Sequence, residues 1–431
     1  MAQRRFLFLQ GPHGPFFYEL SRKLLAAGQS VHRIGINRGD QYYWPDDLRY
    51  TAFTSGMSEW QVFLEDFVAL HDITDLVIYG DARPIHVAAR EVSSARNLRL
   101  HCFEEGYLRP YWITYERDGS NGNSALMDFS MDDIAARVGP AEMEPHDAPA
   151  QWGPVWRHIF LGSIYHANIL FRNGNYPNFQ SHRKETVWRE WMLHCKRLAL
   201  YVPRALAWRA VTHRLLRRGL PYHVAMLQLG HDASVQHYSS IRSMEEFARI
   251  CIERFAAGAP LHHQLVFKTH PLEDGREPLA QIVRDAAHKA GVDDRVWFIP
   301  GGRLGLLLDR ARSAITVNST AGQQALWRGL PLKTLGQAVY VKPEFVSEQS
   351  VEAFFAAPTA PDVTAYRKYR QFLLETSQIS GGFYTTAGRR NACRDLVDCM
   401  LADHGPYARR LHRNDTVNLN LAVVEGKRLT N

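Results

Sequence analysis

Short apolar runs typical of β-strands alternate along this chain with amphipathic stretches typical of helices. In the first half, these strand and helix patterns follow one another at 5–10, 15–27, 31–36, 59–70, 75–79, 84–94 and 98–103. A strand–helix–strand series predicts a parallel sheet with helices on both faces. The first half therefore predicts an α/β domain of the doubly wound, Rossmann-like kind.

A second series of the same kind begins after Gly219-Leu220-Pro221. Its patterns lie at 223–229, 243–256, 264–268, 278–290, 295–298, 303–312, 314–317, 321–328 and 332–335, and helix patterns at 362–377 and 386–403 close the series. The length of 431 residues also suits two domains of roughly 150 to 200 residues. We predict Rossmann-like domains at 1–220 and 221–385, then a C-terminal helix that packs back on the first domain and a basic tail at 386–431.

The region between the two series has a different composition. Residues 117–150 are rich in Gly, Asn, Asp and Pro and predict a loop, and helix patterns follow at 154–171 and 185–218. We expect Pro203 to kink or split the second of these. That stretch carries Trp188, Trp191 and Trp208 among many arginines. This composition suits docking on an anionic membrane, and equally a long core helix with a solvated basic face.

The bulk composition limits the partners and the compartment. The formal net charge of +7 favours anionic partners such as phospholipid headgroups, acidic or phosphorylated substrates, or nucleic acid. The five cysteines are scattered without a CxxC pair, which predicts a reducing compartment and no disulfide framework or zinc site. No apolar run reaches the roughly 20 residues that span a bilayer, and the run at 6–9 is too short for a signal peptide. We expect a cytoplasmic protein, soluble or peripheral on a membrane.

Ligands of doubly wound sheets lie beyond the carboxyl ends of the strands. The first predicted strand is followed by Gln10, Gly11, Pro12, His13 and Gly14. The two glycines let a ligand approach the backbone, and the helix start that follows is a natural anion site. Because the segment lacks the GxGxxG fingerprint, a nicotinamide or flavin cofactor is not expected. An ordinary tight turn is the alternative.

The turn after the third predicted strand contains Asp81, Arg83 and His86. Asp81 is suited to cap the helix that follows. Arg83 and His86 are the better candidates for contacts with an acidic sugar, since both can carry positive charge.

Two adjacent carboxylates, Glu104 and Glu105, follow the fourth predicted strand and precede a glycine and Arg109. Neighbouring carboxylates raise each other's pKa, and an arginine keeps one of them ionised. A carboxylate at this position suits the role of nucleophile or base. A charged turn at the rim of the sheet is the alternative.

Three turns of the second half carry residues that are suited to bind a phosphate group. These candidate residues are Gln228, Asp232, Ser234, Lys268, His270, Pro271, Asn318, Ser319, Thr320 and Gly322. A lysine and a histidine at a strand end bind phosphate and protonate a leaving phosphate, and hydroxyls with free N–H groups at a helix start form an anion cradle. Each turn alone is explained by capping, but three in one domain indicate a nucleotide site. No DxD-like metal pair, clear ligand cluster or GxSxG elbow is present, so we predict no metal.

Taken together, the segments 9–17, 79–84 and 104–110 are similar to the bacterial capsule-polysaccharide synthesis and export family, which contains the KpsS- and LipB-type Kdo transferases and is related to the KpsC type. Segments 268–271 and 318–322 resemble the nucleotide half of that family, and also the bacterial sialyltransferases, which use CMP-sugars. The resemblance extends from about residue 7 to about residue 336.

The resemblance implies a GT-B fold, in which two Rossmann-like domains face each other across a cleft and C-terminal helices cross back. It implies CMP-β-Kdo as donor with no further cofactor, retention of the β-anomer, and a phosphatidylglycerol-type acceptor at the inner membrane, alongside other capsule assembly proteins. Glu105 matches the proposed nucleophilic aspartate of KpsC-type enzymes. His270, with Ser319 and Thr320, would contact the cytidylate phosphate. Segment 173–183, which ends in His182 and Arg183, resembles a family segment near the acceptor.

Three other functions remain open from the sequence. In the first, the chain is a glycosyltransferase that uses another nucleotide sugar as donor or a glycan as acceptor. In the second, it is a membrane-bound adaptor for capsule export and catalyses no reaction. Nucleic-acid binding is the least favoured, because the basic charge is not organised around a recognised motif.

Overall fold

The computed structural model describes residues 3–45, 49–108, 111–138, 156–181, 186–199, 201–230, 235–236, 238–270, 273, 275 and 277–408. Strands in these ranges are β1 (Arg5–Phe8), β2 (Ser30–Gly35), β3 (Tyr50–Ala52), β4 (Asp75–Tyr79), β5 (Arg99–Glu105), β6 (Trp112–Arg117), β7 (Tyr222–Met226), β8 (Gln264–Lys268), β9 (Val296–Ile299), β10 (Ser313–Thr316), β11 (Leu332–Thr334) and β12 (Gln378–Ser380).

Helices of the first half are α1 (Phe16–Ala26), α2 (Arg38–Tyr42), α3 (Trp60–Leu70), α4 (Pro84–Ala95), α5 (Met131–Ala135), α6 (Trp156–Arg172), α7 (Val187–Ala199) and α8 (Tyr201–Arg218). Those of the second half are α9 (Met244–Gly258), α10 (Leu279–Lys289), α11 (Leu304–Leu308), α12 (Gly322–Trp327), α13 (Val351–Ala356), α14 (Val363–Glu375) and α15 (Thr386–Leu401). None of the helices in the described ranges is long and apolar enough to cross a membrane.

The strand order confirms two Rossmann-like domains. The second sheet has the order β11-β10-β7-β8-β9 with parallel pairing throughout. The first has the order β12-β6-β5-β4-β1-β2-β3, parallel from β5 to β3. In each sheet the first strand of the series is central, with the next two strands on one side and the later ones on the other. This is the strand order of the nucleotide-binding doubly wound fold.

The C-terminal part of the chain crosses back to the first sheet, as predicted. β12 pairs antiparallel with β6, and α15 packs on α1, where the guanidinium of Arg389 lies 2.9 Å from the carboxylate of Glu19. The Arg4 side chain also donates to the carbonyl of Met400 at 2.7 Å. Strands β6 and β12 were not predicted from the sequence. β12 has only three residues, so its conformation depends on pairing with a strand more than 250 residues away.

The segment predicted as a loop at 117–150 is packed between the domains where it is described. It forms two 3₁₀ turns and α5, which begins with a capping box at Ser130. Leu126, Met131 and Ile134 belong to one buried apolar cluster together with β7 and α14 of the second half. The Lys342 ammonium donates to the Leu126 carbonyl at 2.9 Å. The domain limits at 220 and 385 remain predictions.

A buried histidine pair in the second domain predicts acid destabilisation. His223 Nε2 lies 3.0 Å from His263 Nδ1, and burial lowers the pKa of these rings to about 3 and about 4. Below pH ~6.5, the unfolded histidines bind protons that the folded ones cannot. We expect the free energy of unfolding, measured by urea titration, to fall between pH 6.5 and 4. His263→Gln should weaken this pH dependence, and the exposed control His213→Gln should leave it unchanged.

Candidate functional site

The loop after β1 organises the first side of the site. Gln10 is buried, donates to the hydroxyl of Tyr165 at 2.8 Å, and accepts from Arg83 Nη1 at 2.8 Å. The His13 ring stacks on the Tyr165 ring with centroids 4.5 Å apart. Gly14 has φ +130°, a conformation that favours glycine. The predicted residues Gln10, His13 and Arg83 are therefore brought together by a tyrosine of α6 that the sequence analysis did not single out.

Glu105, the last residue of β5, accepts two hydrogen bonds from tyrosines on one carboxylate oxygen. The Tyr79 hydroxyl donates to Oε1 at 3.1 Å and the Tyr384 hydroxyl at 2.7 Å. Burial and the adjacent Glu105 carboxylate raise the pKa of both tyrosines well above its usual value, so both stay protonated donors. The described residues donate no hydrogen bond to Oε2. Glu105 is thus held through Oε1, and Oε2 is the oxygen available to a substrate.

The Glu105 cluster is continuous with the β1 loop. The Arg83 guanidinium lies over the Tyr79 ring, 5.3 Å from its centroid. On the other side, the His158 ring of α6 stacks on Tyr384 with centroids 4.1 Å apart and planes at 8°. Arg83 therefore contacts both Gln10 and the Tyr79 ring, and α6 borders the site where His158 stacks on Tyr384.

Three other predicted residues of the first half have local structural contacts. Glu104 accepts from the Glu105 backbone at 3.0 Å and from the Asn121 amide at 3.2 Å. Asp81 was expected to be suited to capping α4, but α4 has no side-chain cap. Its buried carboxylate instead accepts from Ser120 N at 2.9 Å and the Asn123 amide at 3.0 Å. His86 Nδ1 lies 2.6 Å from the Gly80 carbonyl.

In the second domain, the candidates lie at the carboxyl ends of three neighbouring strands, β10, β7 and β8. Gln228 and Asn318 form a buried reciprocal pair, with Gln228 Nε2 donating to Asn318 Oδ1 and Asn318 N donating to Gln228 Oε1, both at 3.0 Å. Lys268 is buried and donates to the Thr269 carbonyl at 2.8 Å. Burial lowers the pKa of Lys268 to about 8. Half-buried His270 lies two residues further along the chain.

The anion cradle predicted at 318–322 needs a correction. α12 has six residues, and the backbone N–H groups of Gly322, Gln323 and Gln324 donate to carbonyls of the preceding turn at 2.9 to 3.2 Å. The Ala321 N–H donates to Ser319 Oγ. These N–H groups are therefore not free for a ligand. The hydroxyl groups of half-buried Ser319 and Thr320 are the candidates that remain in this turn.

Hydrogen bonds join the carboxyl ends of the two sheets. Gln323 Nε2 donates to the Tyr107 carbonyl at 2.9 Å, and the Asn123 amide donates to the Tyr238 hydroxyl at 2.8 Å. Tyr107 is two residues beyond Glu105, a span of at most about 7 Å, and Gln323 follows the Ser319–Thr320 turn. Glu105 and the Ser319–Thr320 turn therefore lie close to the contact between the two domains.

Six predicted residues fall outside the described residues: Arg109, His182, Arg183, Asp232, Ser234 and Pro271. Of the residues that the sequence analysis missed, Tyr79 had a detectable signal, because it ends a predicted strand at the sheet edge where ligands bind. Tyr384 had none, since it reaches Glu105 from 279 positions away. In the described part of the chain, no three or more His, Cys, Asp or Glu residues are grouped so as to hold a metal ion.

The strand ends of the two domains carry two chemical capacities. On the first-domain side, an anchored carboxylate with one available oxygen suits attack on an electrophilic carbon. On the second-domain side, a lysine, a histidine and two hydroxyls suit binding of a phosphate that leaves from that carbon. Together these capacities suit group transfer from a phosphate-activated donor.

Comparisons with known proteins found a matching family model, two similar sequences and a similar solved structure. A family model described as capsule polysaccharide biosynthesis protein matches residues 74–384. The capsule polysaccharide modification protein LipB of Neisseria meningitidis is 30% identical over 389 residues, which are 88% of this chain and 91% of that protein. The capsule polysaccharide export protein KpsS of Escherichia coli is 28% identical over 388 residues, 89% of this chain and 98% of that protein. The solved structure of Thermosulfurimonas dismutans KpsC, a beta Kdo 2,7 transferase, aligns with 92% of this chain and 99% of its own at 13% identity and a TM-score of 0.39.

Proposed function

Because the chain belongs to the capsule polysaccharide biosynthesis protein family, we propose that it is a glycosyltransferase that moves Kdo from CMP-β-Kdo to a phosphatidylglycerol-type lipid with retention of the β-anomer. The observation that carries the proposal is Glu105, anchored through Oε1 by two tyrosine hydroxyls and bordering the second domain. Retention through two successive displacements needs a nucleophile fixed in this way. The product would begin the lipid linker of a capsule chain at the inner membrane.

The proposed reaction has two displacement steps. Glu105 Oε2 forms a bond to the anomeric carbon of Kdo while the bond from that carbon to the phosphate oxygen breaks, and CMP leaves with the electron pair. Lys268 and His270 offset the charge of the leaving phosphate, beside Ser319 and Thr320. The lipid hydroxyl then attacks the same carbon and releases the Glu105 carboxylate. We assign Glu104, at the same strand end, as the acceptor of the hydroxyl proton.

The donor assignment is tested by thermal shift with CMP, UMP, AMP and NAD. We expect CMP alone to raise the melting temperature, and His270→Ala to reduce that shift. Stabilisation by UMP instead would favour another nucleotide sugar. If no nucleotide had an effect and Glu105→Gln and His270→Ala left capsule formation intact, the non-catalytic export adaptor would be the better account.

We predict that a chelator has no effect on transfer. Lys268 and His270 supply positive charge at the phosphate, a role that a metal ion fills in other transferases. The rate with EDTA should equal the rate with added Mg²⁺ or Mn²⁺. A rate that falls with EDTA and recovers with one of these ions would contradict metal independence.

Tyr384→Phe tests how Glu105 is held, since this change removes one donor to the carboxylate while keeping the ring that stacks on His158. The carboxylate then keeps Tyr79 as its one tyrosine donor and is held less firmly in position. We expect kcat to fall about tenfold, the loss that one hydrogen bond to a charged group accounts for. The control Tyr222→Phe removes a hydroxyl bonded to the Leu307 carbonyl and should leave kcat unchanged. A wild-type kcat in Tyr384→Phe would contradict this role.

A further inference from the structure

Helix α6 has two faces with different surroundings. Its inner face carries Ile159, Tyr165 and Ile169, which are buried. From this side Tyr165 bonds to Gln10 and His158 stacks on Tyr384. The inner side of α6 is therefore part of the wall of the candidate site.

The outer face of α6 is an exposed apolar stripe. Trp156, Phe160 and Phe171 have 44%, 49% and 65% of their surfaces exposed. With the partly exposed Ile164 and Ala167, these residues follow the spacing i, i+4, i+8, i+11, i+15, which places all five side chains on one side of a helix. Large aromatic side chains in such a row normally cover something apolar.

Helix α7 extends this surface. The Trp191 ring contacts Phe171 of α6 with centroids 5.7 Å apart and Trp188 with centroids 5.4 Å apart. Trp188 and Met192, one helical turn apart, are both exposed. We call Trp156, Phe160, Phe171, Trp188 and Met192 the α6–α7 patch.

The two helices of the patch are rich in positive charge. Helices α6 and α7 contain five arginine and lysine residues and one acidic residue, Glu190, which is buried. Helix α8, which comes next along the chain, adds five arginines and no acidic residue, although one of them, Arg218, lies over the Trp297 ring of the second domain. An anionic surface would therefore be attracted to these helices.

We propose that the α6–α7 patch docks on an anionic lipid bilayer, with the aromatic side chains in the interface and the arginines and lysines against the headgroups. Exposed aromatic residues together with a dense, nearly acid-free positive charge are the features of helices that lie in a membrane surface. Tryptophan is enriched at this depth. A protein partner for so basic a surface would need a matching acidic face, whereas an anionic bilayer offers apolar and negative groups together.

Docking by this patch has a consequence for the candidate site, and this step rests on the proposed function. A helix with its side chains is about 10 Å across, so the α6 inner face lies within about one helix diameter of the docked surface. A lipid acceptor would then reach Glu105 with its headgroup while its acyl chains stay in the bilayer. The same helix would bind the membrane and form the wall of the acceptor site.

Vesicle co-sedimentation tests the surface. The probes are phosphatidylcholine vesicles with and without phosphatidylglycerol, and the variant is Trp156→Ser/Phe160→Ser/Phe171→Ser. The control is Leu70→Ser/Leu261→Ser, two residues that are 79% and 86% exposed away from the patch. We expect the wild type and the control to bind only the phosphatidylglycerol vesicles, and the patch variant to bind them about tenfold or more weakly. Equal melting temperatures would show that all three proteins fold.

Two results would overturn the proposal: no binding of the wild type to the anionic vesicles, or equal binding of the patch variant and the wild type. If the patch variant also turned a dimer into a monomer in light scattering while vesicle binding stayed unchanged, the patch would be a contact between copies of this chain.

Activity separates this inference from the proposed function. The patch variant should lose transfer to phosphatidylglycerol in vesicles and keep transfer to a soluble short-chain phosphatidylglycerol. If the wild type docked through the patch but transferred Kdo to neither lipid, the docking surface would stand and the proposed function would fail. If the wild type transferred Kdo to the soluble lipid but did not dock on vesicles, the proposed function would stand and the docking surface would fail.

Discussion

Replacing Glu105 with glutamine is expected to reduce sugar transfer about 1,000-fold or more. The amide has nearly the same shape as the carboxylate, and its carbonyl oxygen can still accept from Tyr79 and Tyr384, which donate to Oε1 in the wild type. The amide is, however, a poor nucleophile and cannot form the covalent intermediate. The melting temperature and the stabilisation by CMP should therefore stay close to the wild-type values.

The control for this variant is Glu253→Gln, which removes an exposed carboxylate paired with Arg249 on α9. Surface pairs of this kind contribute little to stability, and Glu253 lies outside the candidate site. Transfer should therefore be unchanged in this control. If Glu105→Gln retained more than a tenth of the wild-type rate, Glu105 would have a positioning role and the nucleophile would have to be found elsewhere.

Gly106→Ala is expected to have the largest effect on stability and to abolish transfer as well. A Cβ atom at Gly106 would lie 2.3 Å from the carbonyl oxygen of Trp112 and 2.7 Å from its carbonyl carbon. Both atoms belong to the backbone of β6, so no side-chain rotation relieves the contact, and β5 must separate from β6. Overpacking of this kind costs about 2 to 3 kcal/mol, and we expect the melting temperature to fall by about 5 °C or more.

The loss of activity follows from the neighbours of Gly106. Glu105 precedes it, and the Tyr107 carbonyl that follows accepts from Gln323 of the second domain. Separating the strands therefore displaces the carboxylate and weakens the contact between the domains. The control is Gly174→Ala, where the added Cβ would have no atom within 4 Å. Equal melting temperatures for the two alanine variants would contradict the close approach of the two strands.

The regular elements could be predicted because their local sequences agree with the fold. β4 and β8 were predicted with the bounds that the structure gives them, 75–79 and 264–268, since each is a short apolar run at the centre of a parallel sheet. Pro203 was expected to kink or split the helical pattern at 185–218, and this stays a prediction, because residue 200, between α7 and α8, lies outside the described residues.

The parts that could not be predicted depend on contacts between distant segments. Tyr384 donates to Glu105 only because β12 and α15 return to the first sheet, and no local pattern around Tyr384 indicates this. The predicted anion cradle is corrected only in part, since the turn before the short α12 uses the N–H groups of residues 321–324 internally. Sequence reasoning placed Glu105 and His270 at strand ends, but the tyrosine anchors and the exposed apolar face of α6 required the fold.

The most direct test of the central claim is a transfer assay with CMP-β-Kdo and vesicles that contain phosphatidylglycerol, followed by mass spectrometry of the lipid and measurement of released CMP. The account predicts phosphatidylglycerol that carries Kdo, an equal amount of CMP, and neither product with Glu105→Gln. Modification of the lipid from a UDP-sugar, with CMP-β-Kdo left intact under the same conditions, would contradict it.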